Sequence, residues 1–272
     1  MNNFIKRTIT GTFFVIFIIG SVLLSPWVFA LLFLLVSVAG MFEYLRVMAR
    51  LDVYPSRGAS LIVSIAVYAG VVAVVSGLLS PDFLRAGFMI VPVLLIAELF
   101  RNKGNPFSNV AVSLLGIAWV VLPLALLNGF FNPEADHGWI HGGALLGFFL
   151  ILWIYDSGAY IVGSMVGKRK ILERISPGKS WEGFAGGSVA GLLTAYMISA
   201  SFLEFSSLEW MLIALVIIIF GTLGDLIESM LKRSAGIKDS GSLLPGHGGI
   251  LDRFDAVLVA APLVYLIISF LR

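Results

Sequence analysis

Cysteine is absent from the 272 residues, and histidine occurs only three times. The first absence excludes disulfides, thiolate nucleophiles, iron–sulfur clusters and Cys-ligated zinc, and the second leaves few imidazoles for acid–base work. Charge is scarce as well. Asp, Glu, Lys and Arg make up 12% of the chain, about half the share found in a soluble domain. Too few charges remain to clothe a sphere of this size, so soluble, disordered and disulfide-stapled architectures are excluded together. A formal net charge of +2 is too small for a nucleic-acid surface, and no nucleic-acid partner is expected. What the chain has in abundance is apolar: 59% of its residues and a mean hydropathy of +1.00. These values describe an integral membrane protein.

A helix needs roughly 20 apolar residues to cross the hydrocarbon core. Runs of that kind, punctuated by Pro, Gly or charge, fall near 9–25, 27–48, 59–79, 84–100, 108–130, 143–166, 184–203, 209–231 and 254–271. They do not alternate as barrel strands would, so the expected fold is all-α and polytopic, with about nine transmembrane helices. Lys6-Arg7 and the apolar stretch behind it resemble a signal peptide. No small-x-small cleavage site follows Ser25-Pro26-Trp27, which makes this a retained first helix. With a cytoplasmic N-terminus, all of the 18 Lys and Arg residues except Arg85 and Arg272 fall on the cytoplasmic side, as the positive-inside rule requires. His137 and His141 are four apart, but Gly138 and the flanking Asn132-Pro133 and Gly142-Gly143 argue for a loop and against a helical metal pair.

The polar residues divide the chain into residues 1–130, a scaffold of five spans, and residues 131–272, four spans whose loops hold most of the chemistry. In the first part Glu43 with Arg46, and Glu98 with Arg101, stand i to i+3 near helix ends and are expected to pair locally or snorkel to the interface. In the second, Asp225, Glu228, Ser229 and Lys232 form one stripe of a helix, with Arg233 beside them. An ionised group in mid-span costs at least about 2.5–3.5 kcal/mol, so this stripe is expected to face a wet cavity or a cation. Asp156, four residues before Tyr160, makes the same demand. The following loop carries Lys238-Asp239 and Gly248-Gly249 around His247, a backbone able to approach an anion closely, and Asp252 and Asp255 share one face of the next helix turn. A second basic loop runs from Lys168 through Ser176-Pro177-Gly178-Lys179-Ser180 to Glu182. Its Gly-Lys-Ser lacks the upstream Gly of a P-loop, since Glu173 stands there. Gly183, Gly187 and Gly191 recur every four residues and predict close helix packing.

Carboxylates flanked by Lys, Arg and Gly-rich backbone suit a Mg²⁺ ion carrying a polyphosphate, because Mg²⁺ binds through one or two carboxylates plus phosphate oxygens. Metal-assisted phosphoryl or nucleotidyl transfer fits this inventory best, and an ion-coupled transporter is the competing class. The charges crowd one side of the last four spans and the halves do not repeat, which disfavours the transporter.

Ser229-x-Leu231-Lys232-Arg233, four residues, Lys238-Asp239-x-Gly241, two residues, then Leu244-Pro245-x-His247-Gly248-Gly249-Ile250-x-Asp252-Arg253-Phe254-Asp255 resembles the full signature of the phosphatidate cytidylyltransferases. Asp156-Ser157-Gly158-Ala159-Tyr160 and Ser176 to Gly183 resemble other stretches of that family. The resemblance implies conversion of CTP and phosphatidic acid to CDP-diacylglycerol and pyrophosphate at a bacterial cytoplasmic membrane, by a homodimer among membrane lipids. It also implies a Mg²⁺ site with a monovalent cation such as K⁺ as second ion. On this reading Asp225, Asp252 and Asp255 are the metal ligands, and Lys232 and Lys238 join Asp225 and Asp252 in catalysis. Asp156, Ser176, Lys179, Glu182, Ser229, Arg233, Asp239, His247, Gly248, Gly249 and Arg253 bind substrate. The related CTP-dependent kinases of lipid alcohols are not separated from this family by physical argument alone.

Overall fold

The computed structural model describes residues 3–132, 142–241 and 248–272; the three histidines, His137, His141 and His247, lie outside the described residues. Its helices are α1 (Asn3–Leu24), α2 (Pro26–Ala49), α3 (Arg57–Val75), α4 (Ile90–Leu99), α5 (Pro106–Gly116), α6 (Leu122–Leu126), α7 (Gly143–Val166), α8 (Trp181–Ile198), α9 (Ser207–Ser234) and α10 (Leu251–Leu271). Local chemistry sets several of the starts. Ser25 accepts from the Trp27 N–H and Asn105 from those of Phe107 and Ser108. Each is followed by a proline in the first turn, where a missing N–H costs nothing.

Among the described residues, six segments are long and apolar enough to cross a membrane: α2, α3, the rod Pro106–Phe130, α7, α9 and α10. A π-turn, Ile117–Val121, joins α5 to α6 within that rod. The other expected spans take different forms. The first is α1, whose apolar part is Gly11–Leu24. The stretch 84–100 is a 3₁₀ segment, Pro81–Met89, followed by the short α4. Pro92 has no N–H for the carbonyl of Phe88, so regular α-helical bonding begins late there. The run 184–203 is the 18-residue α8. A small antiparallel hairpin, β1 (Lys170–Leu172) with β2 (Ser176–Ser180), departs from the all-helical expectation.

The chain forms two compact units. The first comprises residues 1–129 and 231–254, the second 130–230 and 255–272. In the first, Phe29 stacks on Phe33 at 4.1 Å between centroids, and Phe254 meets Phe14 and Phe33 edge-on. Gly116 lets α5 approach α2 so closely that a β-carbon would lie 2.6 Å from the Tyr44 ring. In the second, Gly183, Gly187 and Gly191 are buried. A β-carbon at Gly187 would stand 2.7 Å from the Tyr155 carbonyl oxygen of α7, which is the small-residue packing read from their spacing.

Candidate active site

In the second unit α9 and α10 touch backbone to backbone at Gly224, where a β-carbon would overlap the Asp255 carbonyl. That contact carries Asp225 within hydrogen-bonding reach of Asp255. The Lys179 ammonium, delivered by β2, makes an ion pair with Asp225. Asp156 on α7 shares their electrostatic field, and Tyr155 is hydrogen-bonded to Thr222 of α9. A cavity of about 360 Å³ opens here, lined among others by Tyr155, Asp156, Tyr160, Lys179, Thr222 and Asp225. Glu228, one turn beyond Asp225, is buried at 1% exposure.

The hairpin that presents Lys179 is tied at its base. Trp181 N–H donates to the Arg169 carbonyl at 2.9 Å, and Ser180 caps α8 by accepting from the Gly183 N–H. Glu182 accepts the N–H groups of Lys168 and Arg169 at 3.0–3.2 Å. Its own backbone N–H, with those of Lys168 and Arg169, holds this carboxyl below the usual range.

In the first unit Asp252 is the hub. Its Oδ2 accepts from the Ser240 N–H at 2.9 Å, the Ser240 hydroxyl at 2.9 Å and the Gly249 N–H at 2.8 Å. Its Oδ1 accepts from Lys232 Nζ at 2.6 Å, and both partners of that ion pair are largely buried. Gly248 adopts a φ of +83°, and a β-carbon there would crowd Asp252 Oδ2. Arg233, Lys238, Asp239 and Arg253 are exposed around this cluster's chain segments, and Ser229 is half-buried. The structure thus groups Asp156, Lys179, Asp225 and Asp255 in one unit, and Lys232, Gly249 and Asp252 in the other. Ser176 and Glu182 belong to the hairpin and its anchor.

Sequence reading missed Glu43. It was expected to pair with Arg46 or snorkel to the interface, yet it is buried and Arg46 lies over the Phe42 ring at 4.4 Å. Glu43 is 1% exposed, with Oε2 accepting the Leu251 N–H at 3.1 Å and facing the Ser240 hydroxyl at 3.5 Å. A pair at i, i+3 stabilises by only a few tenths of a kcal/mol, whereas a buried carboxylate requires donors. Glu98 does pair with Arg101, and it also accepts from Ser56 N–H and Asn109.

The donor set fits a hard divalent cation. Asp225 and Asp255 in mutual contact are compatible as anions only with a proton or cation between them. Asp225 and Asp252 each already hold a lysine ammonium, a cation standing where another can stand. No group of three His, Asp or Glu residues suited to holding a metal forms among the described residues. Mg²⁺ needs only one or two carboxylates when phosphate oxygens complete its shell.

Comparison with known proteins adds a family. A model described as "Cytidylyltransferase family" matches residues 5–271. Proteins named phosphatidate cytidylyltransferase from Staphylococcus saprophyticus and Staphylococcus aureus are 39% and 40% identical over 178 residues. That is 65% of this chain, and the match spans 65% of the length of those relatives. One of the same name from Bacillus subtilis is 49% identical over 121 residues, 44% of this chain and 45% of its own.

Proposed function

The chain belongs to the cytidylyltransferase family, and on that premise we propose that it transfers the cytidylyl group of CTP to phosphatidic acid, giving CDP-diacylglycerol and pyrophosphate. The observation that carries this reading is the repeated pairing of a buried or half-buried carboxylate with a lysine, Asp225 with Lys179 and Asp252 with Lys232. Such pairs can exchange partners, the carboxylates taking a metal and the ammoniums taking phosphates.

Asp225, Asp252 and Asp255 are the proposed metal ligands, for Mg²⁺ with a monovalent cation such as K⁺ as a second ion. When bound, the metal supplies charge neutralisation on the triphosphate. Lys179, Lys232, Lys238, Arg233 and Arg253 bind phosphate oxygens of CTP or the lipid and hold the leaving pyrophosphate. A phosphate oxygen of phosphatidic acid forms the new bond to the α-phosphorus, and the bond from that phosphorus to the bridging oxygen breaks. The nucleophile is already an anion at neutral pH, so the chain needs no general base and its task is positioning and neutralisation. Asp156, Ser176, Glu182, Ser229, Asp239, His247, Gly248 and Gly249 complete the proposed substrate contacts. We further place the protein in a bacterial cytoplasmic membrane as a homodimer, with nine spans, a cytoplasmic N-terminus and the site facing the cytoplasm. The distribution of Lys and Arg supports that orientation.

The test is to mix detergent-solubilised protein with phosphatidic acid, Mg²⁺ and CTP labelled at either the α- or the γ-phosphate. Label from the α position in the lipid phase is the expected result. Transfer of the γ label to a lipid alcohol reports a kinase instead. Absence of any lipid label, with substrate-dependent ion flux in liposomes, reports a transporter.

A further inference from the structure

We infer that Glu43 is a positioning residue for Asp252, its carboxylate tying down Leu251, directly before that aspartate, and Ser240, which hydrogen-bonds to it. The inference rests on the proposed activity only in treating Asp252 as functional. Glu43 Oε2 takes the Leu251 N–H at 3.1 Å, directly before Asp252, and faces the hydroxyl of Ser240 at 3.5 Å. That same hydroxyl donates to Asp252 Oδ2 at 2.9 Å, beside the Ser240 N–H on the same oxygen. Ser240 therefore sits between two carboxylates, one from α2 and one from the start of α10, and transmits the position of the first to the second.

The surroundings are shaped to admit this side chain. A β-carbon at Gly241 would overlap the Glu43 carboxylate, and one at Gly249 would overlap both Ser240 Oγ and Glu43 Oε2. Gly241 and Gly249 thus have a reason besides close approach to an anion: they make room for a buried acid. Glu43 Oε1 is buried without a hydrogen-bond partner, a state that disfavours folding relative to an apolar side chain of similar volume. A residue kept solely to stabilise the α2 face would gain by losing its charge. The bonds to Ser240 and Leu251 are what the acid adds.

The test uses the full-length protein in detergent. Glu43→Met fills the volume without offering an acceptor, and Glu43→Gln restores one. For Glu43→Met the expected result is a kcat lower by about tenfold to a hundredfold, with little change in KM for CTP. Faster hydrogen exchange at the amides of residues 240, 249 and 251 accompanies it, and Glu43→Gln recovers both readouts to within about threefold. A Met variant with wild-type kcat overturns the inference, and so does a Gln variant as impaired as Met with wild-type exchange. If Glu43→Met does not fold, Ser240→Ala cuts the same relay from the other end. A several-fold loss of kcat is then expected, and an unchanged kcat overturns the inference. Wild-type protein that labels no lipid sinks the proposed activity instead, and the exchange measurements still decide whether Glu43 holds the segment.

Discussion

Asp225 and Asp252 carry the same side chain, and the two units satisfy them in opposite ways. Asp252 is held by the fold: two backbone N–H groups and a hydroxyl converge on one of its oxygens, and Lys232 takes the other. Asp225 sits inside α9, where backbone amides are spent on the helix itself, and it is held by counter-charge from Lys179 against the neighbouring Asp255. One aspartate is placed by structure, the other by electrostatics. The difference decides what each substitution breaks.

The largest effect should come from removing either charge. Asp225→Asn and Asp252→Asn are both expected to lower turnover about a thousandfold or more, and a chelator should do the same to the unmodified protein. Thermal stability separates them. Asn at 252 presents an amide where donors converge and is expected to lose about 1–3 kcal/mol, whereas Asn at 225 relieves repulsion with Asp255 and should leave the melting temperature unchanged or higher. Equal destabilisation of the two variants would break the comparison.

The next effect comes from the glycines that bring each cluster together. Gly249→Ala drives a methyl into Ser240 and Glu43, and is expected to lower kcat about a hundredfold by displacing Asp252. Gly224→Ala pushes α9 off α10 at the Asp255 carbonyl. Overpacking of that kind costs about 1–3 kcal/mol, so here a lowered melting temperature should lead and activity should follow. Assaying both variants for melting and for kcat per folded molecule checks the order.

Much of this was readable from residue spacing. The glycine repeat of α8 and the polar stripe of α9 are local patterns, and local patterns repeat in the structure. The signature from Ser229 to Asp255 pointed to the family whose model matches the chain. What could not be read is long-range. Glu43 meets Ser240 and Leu251 across 197 and 208 residues, and nothing in Phe42-Glu43-Tyr44 distinguishes an acid bound for such a partner from one bound for Arg46. The β1–β2 hairpin was equally hidden, because Ser176-Pro177-Gly178-Lys179-Ser180 has no strand propensity. It is closed by tertiary bonds from Trp181 and Glu182. The 3₁₀ form of 81–89 escaped because hydropathy measures how apolar a run is, not how it winds.

The lysines sharpen the comparison at smaller scale. Lys179→Ala and Lys232→Ala each remove a proposed phosphate ligand, and KM for CTP is expected to rise about tenfold in both. Lys232→Ala should leave Asp252 in place, since three donors remain on it. Lys179→Ala leaves Asp225 facing Asp255 and Asp156 without that ammonium, so activity at limiting Mg²⁺ should fall further in that variant. Titrating Mg²⁺ at saturating CTP measures the difference.

The smallest effect is expected at Glu182, which acts on Lys179 only through the hairpin. Glu182→Ala frees the N–H groups of Lys168 and Arg169 and loosens β1 where it pairs with β2. KM for CTP should then rise about two- to fivefold with kcat unchanged. Glu182→Gln, still an acceptor, should recover most of it. The pH dependence follows from the sign of its shift. Because the Glu182 carboxyl is held below its ordinary range, its contribution is fully present above the unfolded carboxylate pKa and is lost only as pH falls through the lower folded value. Between pH 6 and 8 the ratio of wild-type to Glu182→Ala activity should therefore be flat. A ratio that changes across that window would mean Glu182 senses the substrate's own ionisation, and would move it from the hairpin's anchor into the phosphate site.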